Sequence, residues 1–176
     1  MTEFSIERCA TTALPPETRA ALIALCDAAY QESIAPYLEA IGPGEHLLGV
    51  RAGVLVSHLM WVTRWLQPLG LAPLRTAYVE VVATAPEAQR RGYVTRLLEA
   101  FPQQVHDFDI AALSPATEAI YTRCGWRHWR GPLAVRHQGR LVPTDGERIM
   151  VLPLARTPAL DDTQPLSVEW QRGEVS

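Results

Sequence analysis

Hydrophobic and polar positions alternate over residues 4–9, in the manner of an opening strand. Pro15-Pro16-Glu17 then starts a helix, because Pro fits the first turn and Glu suits its positive end. Leu22, Ile23, Cys26 and Ala29 recur at helical spacing and give that helix a core face. Residues 32–40 read as a second, shorter helix that contains Pro36 and is ended by Gly42-Pro43-Gly44. Segments 46–51 and 54–63 flank Ala52-Gly53, a tight hairpin signal. A loop with Pro and Gly at 67–73 leads into a third sheet strand at 75–84. Residues 86–105 hold a helix with Val94, Leu97, Leu98 and Phe101 on one side and Pro102 to end or kink it. Residues 110–113 form a buried strand, and Ser114-Pro115 opens a short helix through Tyr121. Segments 128–135 and 148–154 read as a closing hairpin, joined by a polar loop with Asp145-Gly146. Residues 158–176 read as an acidic tail, with Asp161, Asp162, Glu169 and Glu174 against Arg172 alone. Strands alternate with helices irregularly, which favours a mixed α/β or α+β fold over an all-parallel sheet. One domain spanning residues 1–176 is expected, with no repeat.

Composition narrows the partners. With 48% hydrophobic residues the chain can bury a full core. A net charge of −3 argues against nucleic acid as partner and is compatible with a cationic ligand. All 16 basic residues are arginine, which is no handicap for binding phosphates. Cys9, Cys26 and Cys124 lack CxxC or metal spacing and read as reduced thiols, so no metal is expected. No basic-apolar-small leader opens the chain, and no apolar run reaches the ~20 residues of a membrane span. The expected setting is the cytoplasm, away from membranes.

The chemistry concentrates in residues 77–126. A buried strand runs into the basic, glycine-containing turn Gln89-Arg90-Arg91-Gly92, which opens a helix. That order presents backbone N–H groups to a pyrophosphate. The amides of Arg91, Gly92, Tyr93 and Val94 fall among the orphan donors of a helix start, and Gly92 lets backbone come close to a ligand. On the turn alone, Arg90 and Arg91 are equally well read as a solvated helix cap. Further on, Tyr121 precedes the pair Gly125-Trp126, where a phenol could serve an acyl transfer.

The strand–turn–helix order with Gln89-Arg90-Arg91-Gly92-Tyr93-Val94 resembles the Gln/Arg-x-x-Gly-x-Gly/Ala signature of the GNAT superfamily of acetyl-CoA-dependent N-acetyltransferases. Val94 stands where Gly or Ala is usual. The resemblance implies a GNAT fold, a central twisted mixed sheet of about six or seven strands flanked by helices. It implies acetyl-CoA as co-substrate, with backbone groups of Val82 and Thr84 holding the pantetheine arm like an added strand. Acyl transfer to an amine needs a base, an oxyanion donor and an acid for the leaving thiolate. Glu80 is the expected base, acting through a water, and its other reading is an exposed strand carboxylate. Tyr121 is the expected acid, and its other reading is a core tyrosine. A backbone N–H near Val82 would polarise the carbonyl.

Further blocks extend the likeness: Tyr78-Val79-Glu80, Ala112-Leu113-Ser114, Tyr121 with Gly125-Trp126, Trp129, Gly131-Pro132, Asp145-Gly146, Val151-Leu152-Pro153 and the ending Glu169-Trp170-Gln171-Arg172-Gly173-Glu174-Val175. Together they resemble the aminoglycoside 2′-N-acetyltransferase family over about residues 75–176. The resemblance implies that Ser114 contacts the sugar near the reacting amine. It also implies that Asp145, Glu174, the terminal carboxylate at Ser176, and Glu32 from the second helix hold ammonium groups of a polycationic sugar. Tyr37, Val81 and Ser176 depart from that family's pattern, at an acidic position, a glycine and a closing aromatic. These departures keep open a different small amine, amino sugar or protein N-terminus as acceptor. A non-catalytic module that keeps the coenzyme pocket is a third reading. Oligomeric state is left open by the sequence, with an exposed strand near Trp61–Trp65 or the closing hairpin as the places that could pair two subunits.

Overall fold

The computed structural model describes residues 3–170, so Glu174 and Ser176 lie outside the described residues. The chain folds into two compact units: residues up to Val62 with Glu80–Phe101, and Thr63–Val79 with the chain from Pro102 onward. Two long strands, β3 (Val54–Pro68) and β4 (Leu74–Thr84), run through both.

In the first unit, β1 (Phe4–Ala10) pairs antiparallel with β2 (Glu45–Arg51), and β2 with the first part of β3. The β2–β3 turn is made by Ala52 and Gly53, at φ 53° and 75°. Left-handed backbone at both central residues matches the strand twist of a tight hairpin. Helix α1 (Pro16–Tyr30) starts after Pro15 as the sequence indicates, and buries Leu22, Leu25 and Cys26. It ends in left-handed Gln31, at φ 58°. The Asp27 carboxylate then accepts the Ile34 amide at 2.8 Å, which fixes the corner into α2 (Ala35–Ile41). The second helix is therefore shorter than residues 32–40 suggest, and Pro36 sits harmlessly in its first turn. Helix α3 (Tyr93–Gln104) buries Tyr93, Leu97, Leu98 and Phe101. Phe101 packs edge-on against buried Trp61 with centroids 5.3 Å apart, and Tyr93 stacks on Phe4 at 4.9 Å. Residues 86–92, expected to be helical, instead form a short 3-10 turn (Pro86–Ala88) and an irregular segment.

In the second unit the strand order is β6-β9-β5-β4-β3-β10-β7-β8. These are β5 (Ile110–Leu113), β6 (Arg127–His128), β7 (Leu133–His137), β8 (Arg140–Pro143), β9 (Met150–Pro153) and β10 (Leu166–Glu169). Pairs β4–β5 and β7–β10 are parallel among antiparallel neighbours, so the sheet is mixed as expected. There are ten strands among the described residues rather than six or seven.

Three readings are corrected here. Segments 128–135 and 148–154 do not form one hairpin: β6 pairs with β9 over Arg127 and His128 only. The chain then leaves, because the amides of Arg130 and Gly131 both donate to the Asp162 carbonyl, at 2.9 and 2.8 Å. A Cβ on Gly131 would collide with the Gln164 carbonyl, so glycine permits this close approach. Residues 158–170, read only as part of an acidic tail, contain a strand, and β10 buries Leu166, Ser167 and Val168. Arg136 clamps it by donating to the Ser167 carbonyl at 2.8 Å and to the Trp65 carbonyl at 2.6 Å. Trp61, offered as a pairing surface, is only 1% exposed; it is core because α3 covers it.

Candidate active site

Expected coenzyme-binding residues lie on one continuous stretch of the first unit. Val82 and Thr84 are half-buried at the end of β4, whose last residue is Thr84. Gln89, Arg90, Arg91 and Gly92 are exposed, Tyr93 is buried, and Val94 is half-buried. The turn is held down where the Ala85 amide donates to the Val56 carbonyl at 2.9 Å. Arg90 and Gly92 both take left-handed backbone, at φ 62° and 77°. Left-handed residues in a turn splay successive N–H groups toward one concavity, the geometry that receives anions. The Gly92 carbonyl accepts from the Arg96 amide at 3.1 Å, closing the first turn of α3. The amides of Tyr93, Val94 and Thr95 therefore have no carbonyl one turn back to bond. A Cβ on Gly92 would meet nothing within 4 Å. Glycine is thus required there for its backbone conformation and not by any protein neighbour, which leaves space beside the amides. The turn fits a pyrophosphate in shape and in charge.

Glu80 is half-buried on β4, and its Oε2 accepts the Tyr37 hydroxyl at 2.7 Å. Two residues on, the Tyr30 hydroxyl donates to the Val82 carbonyl at 2.6 Å and accepts the Val82 amide at 3.2 Å. In a strand, alternate residues send their N–H and C=O to the same edge. Tyr30 thus occupies the edge of β4 on which the Val82 N–H and C=O lie. Neither tyrosine was singled out as a binding residue from sequence. Tyr37 registered only as a missing carboxylate, and Tyr30, at a helix end, gave no signal. Val81 is buried, 1% exposed, so its side chain is core and does not line the surface.

In the second unit, Tyr121 lies half-buried on the short helix α4 (Ala119–Arg123), its ring edge-on to buried Trp126 with centroids 6.0 Å apart. The Tyr121 carbonyl accepts the amides of Cys124 and Trp126, at 2.9 and 3.1 Å, so the following turn fixes its backbone. Ser114 is exposed immediately after β5, in an irregular segment rather than at the start of a helix. Glu118 accepts Arg148 at 3.1 Å, tying the residue that precedes α4 to the chain before β9. Asp145 is exposed in the loop after β8. Glu32 is also exposed, but it lies in the loop between α1 and α2 and not in a helix. Among the described residues, no cluster of three or more His, Cys, Asp or Glu could hold a metal. Among the described residues, likewise, no helix is long and apolar enough to cross a membrane.

Residues 13–129 match the model of the acetyltransferase (GNAT) domain family. No curated protein matches the chain. Among solved structures, the GNAT family N-acetyltransferase YhbS from Escherichia coli, in complex with CoA, aligns with a TM-score of 0.69 at 15% identity, over 97% of this chain and 91% of that one. A GNAT family acetyltransferase from Brucella melitensis, in complex with acetyl-CoA, aligns at TM-score 0.63 and 14% identity, over 97% of both chains. Eis1 from Mycobacterium abscessus aligns at TM-score 0.58 and 20% identity, over 75% of this chain. The chain spans about a third of the length of some of these matches, 34% of a Kribbella flavida GCN5-related N-acetyltransferase and 32% of Eis1. At such identities the structures establish the fold. The matched segment contains the whole strand–turn–helix and Tyr121, and the chain belongs to the GNAT acetyltransferase family.

Proposed function

We propose that this protein moves the acetyl group of acetyl-CoA to a primary amine of a cationic amino sugar, with the 2′-amine of an aminoglycoside as the specific acceptor. The observation that carries the coenzyme half is the left-handed turn at Arg90 and Gly92 opening onto the amides of α3. Arg90 and Arg91 add two exposed positive charges, always ionised, beside those amides. Val82 and Thr84 supply the strand edge for the arm.

Glu80 takes the proton of the acceptor ammonium through a water, freeing the nitrogen lone pair for attack on the thioester carbonyl. Tyr37, bonded to one carboxylate oxygen, fixes the orientation of that base. A β4 backbone N–H near Val82 donates to the oxyanion as the carbon–nitrogen bond forms. As the carbon–sulfur bond breaks, Tyr121 gives its phenolic proton to the departing sulfur. Ser114 contacts the sugar beside the reacting amine, while Glu32 and Asp145 attract its other ammonium groups. Glu174 and the Ser176 carboxylate join them in this reading, on the strength of the family resemblance alone.

A second acceptor class has its own support. Tyr37 places a neutral phenol against Glu80 where the aminoglycoside family has an additional carboxylate, and this lowers the charge available to a polycation. A smaller amine or a protein N-terminus suits that change. Thiol-release assays with kanamycin, tobramycin and gentamicin, scored with mass spectrometry for one added acetyl group, decide between them. Turnover of tobramycin and gentamicin at the 2′-amine, with no N-acetylation at the 2′-hydroxyl position of kanamycin A, supports the first reading. Binding of acetyl-CoA with no turnover of any of the three rejects it, and an acceptor panel then identifies the class. A module that only binds the coenzyme would acetylate nothing in the panel.

A further inference from the structure

The Tyr30 hydroxyl uses both of its hydrogen-bonding functions on one residue of β4. It donates to the Val82 carbonyl at 2.6 Å and accepts the Val82 amide at 3.2 Å. One donor and one acceptor presented side by side to a strand residue is what an amide of an added strand offers. Val82 has a single N–H, so a pantetheine amide and the Tyr30 hydroxyl cannot both accept it. Resting on the coenzyme reading above, we propose that Tyr30 is a stand-in for the pantetheine arm. Its phenol competes with acetyl-CoA for the Val82 edge and must swing away for the arm to pair.

The local structure suits a swinging side chain. Tyr30 is the last residue of α1, and left-handed Gln31 stops the helix directly after it. Tyr30 is 40% exposed as a residue, so its side chain can rotate outward without opening the core formed by Leu22, Leu25 and Cys26. The Asp27 carboxylate bonded to the Ile34 amide holds the corner while the side chain moves. Burial is the main reason the Tyr30 phenol is shifted above the usual tyrosine range, so it stays protonated and able to donate at neutral pH. The exchange therefore breaks two hydrogen bonds and little else.

Tyr30→Phe keeps the ring and removes only the competitor. Isothermal titration should show acetyl-CoA binding about tenfold tighter to Y30F than to the parent, the scale of two net hydrogen bonds no longer broken on binding. The KM for acetyl-CoA should fall by a similar factor while the KM for the acceptor amine stays put. Hydrogen exchange at the Val82 amide should quicken in Y30F and slow again in both proteins once acetyl-CoA is added. Equal or weaker binding by Y30F, or unchanged exchange at Val82, overturns the competition while leaving the coenzyme site standing. If the parent itself fails to bind acetyl-CoA, the coenzyme reading falls and this inference falls with it.

Discussion

Two histidines buried in the first unit should make this protein sensitive to mild acid. His46 and His58 are 2% and 0% exposed, and their rings join at 2.8 Å between Nδ1 of His46 and Nε2 of His58. Thr11 continues the chain at 2.7 Å from His46 Nε2, and the Cys26 thiol ends it at 3.7 Å from His58 Nδ1. Burial lowers His46 to about 4, with Arg19 adding to the effect and Glu45 opposing it. Burial lowers His58 to about 3, aided by the neighbouring His46. Burial likewise pushes the Cys26 thiol up to about 12, so the far end of the chain stays uncharged. Both imidazoles are neutral in the folded protein but titrate at about 6.5 once unfolded. The stability they confer is complete above pH 6.5 and is lost as pH falls toward the folded values, because the unfolded chain takes up two protons that the folded one refuses. From pH 7 to pH 5 the loss comes to about 4 kcal/mol for the pair, a range in which most carboxylates stay ionised. Urea unfolding at the two pH values measures it, and imidazole proton shifts at His46 and His58 should stay at neutral values down to pH 5. A loss under about 1 kcal/mol, or rings that titrate near 6.5, would refute the reasoning.

Other perturbations test the site and its scaffold. Tyr121→Phe should lower kcat by ~10²–10⁴-fold if the phenol protonates the sulfur, and an unchanged rate would remove it from the mechanism. Tyr37→Phe deletes a hydrogen bond to the Glu80 carboxylate, so the acidic limb of the kcat/KM profile should move to higher pH; no movement would separate Tyr37 from the base. Gly131→Ala drives a methyl into the Gln164 backbone, and thermal unfolding should show destabilisation of about 2 kcal/mol or more, since neither strand can yield without losing β7–β10 pairing.

The turn at residues 89–92 was legible because its geometry is local. A strand, a Gly-containing basic turn and an amphipathic helix follow one another in sequence, and the backbone does what those residues require. The hairpin at Ala52-Gly53 and the Pro15-Pro16 helix start were readable for the same reason. The closing segment was not. Where residues 128–135 go depends on the Asp162 carbonyl and on Gly131 clearing Gln164, contacts made across some thirty residues of chain. The alternation of Leu166 and Val168 was the one local hint that β10 is a strand, and a predominance of acidic residues masked it. Tyr30, Tyr37 and the His46–His58 pair were invisible for a similar reason. Nothing in their neighbours' identities says that a helix-end phenol reaches β4, or that two rings 12 positions apart meet across β2 and β3.

Calorimetric titration of acetyl-CoA into the parent protein and into Gly92→Ala tests the coenzyme site most directly. Alanine there must take a left-handed backbone that its Cβ disfavours, or else reshape the turn that opens α3. Saturable one-to-one binding by the parent, weakened at least about tenfold in a variant that keeps its circular dichroism spectrum, is the predicted result. No heat from the parent, or equal affinity in the two proteins, would contradict it.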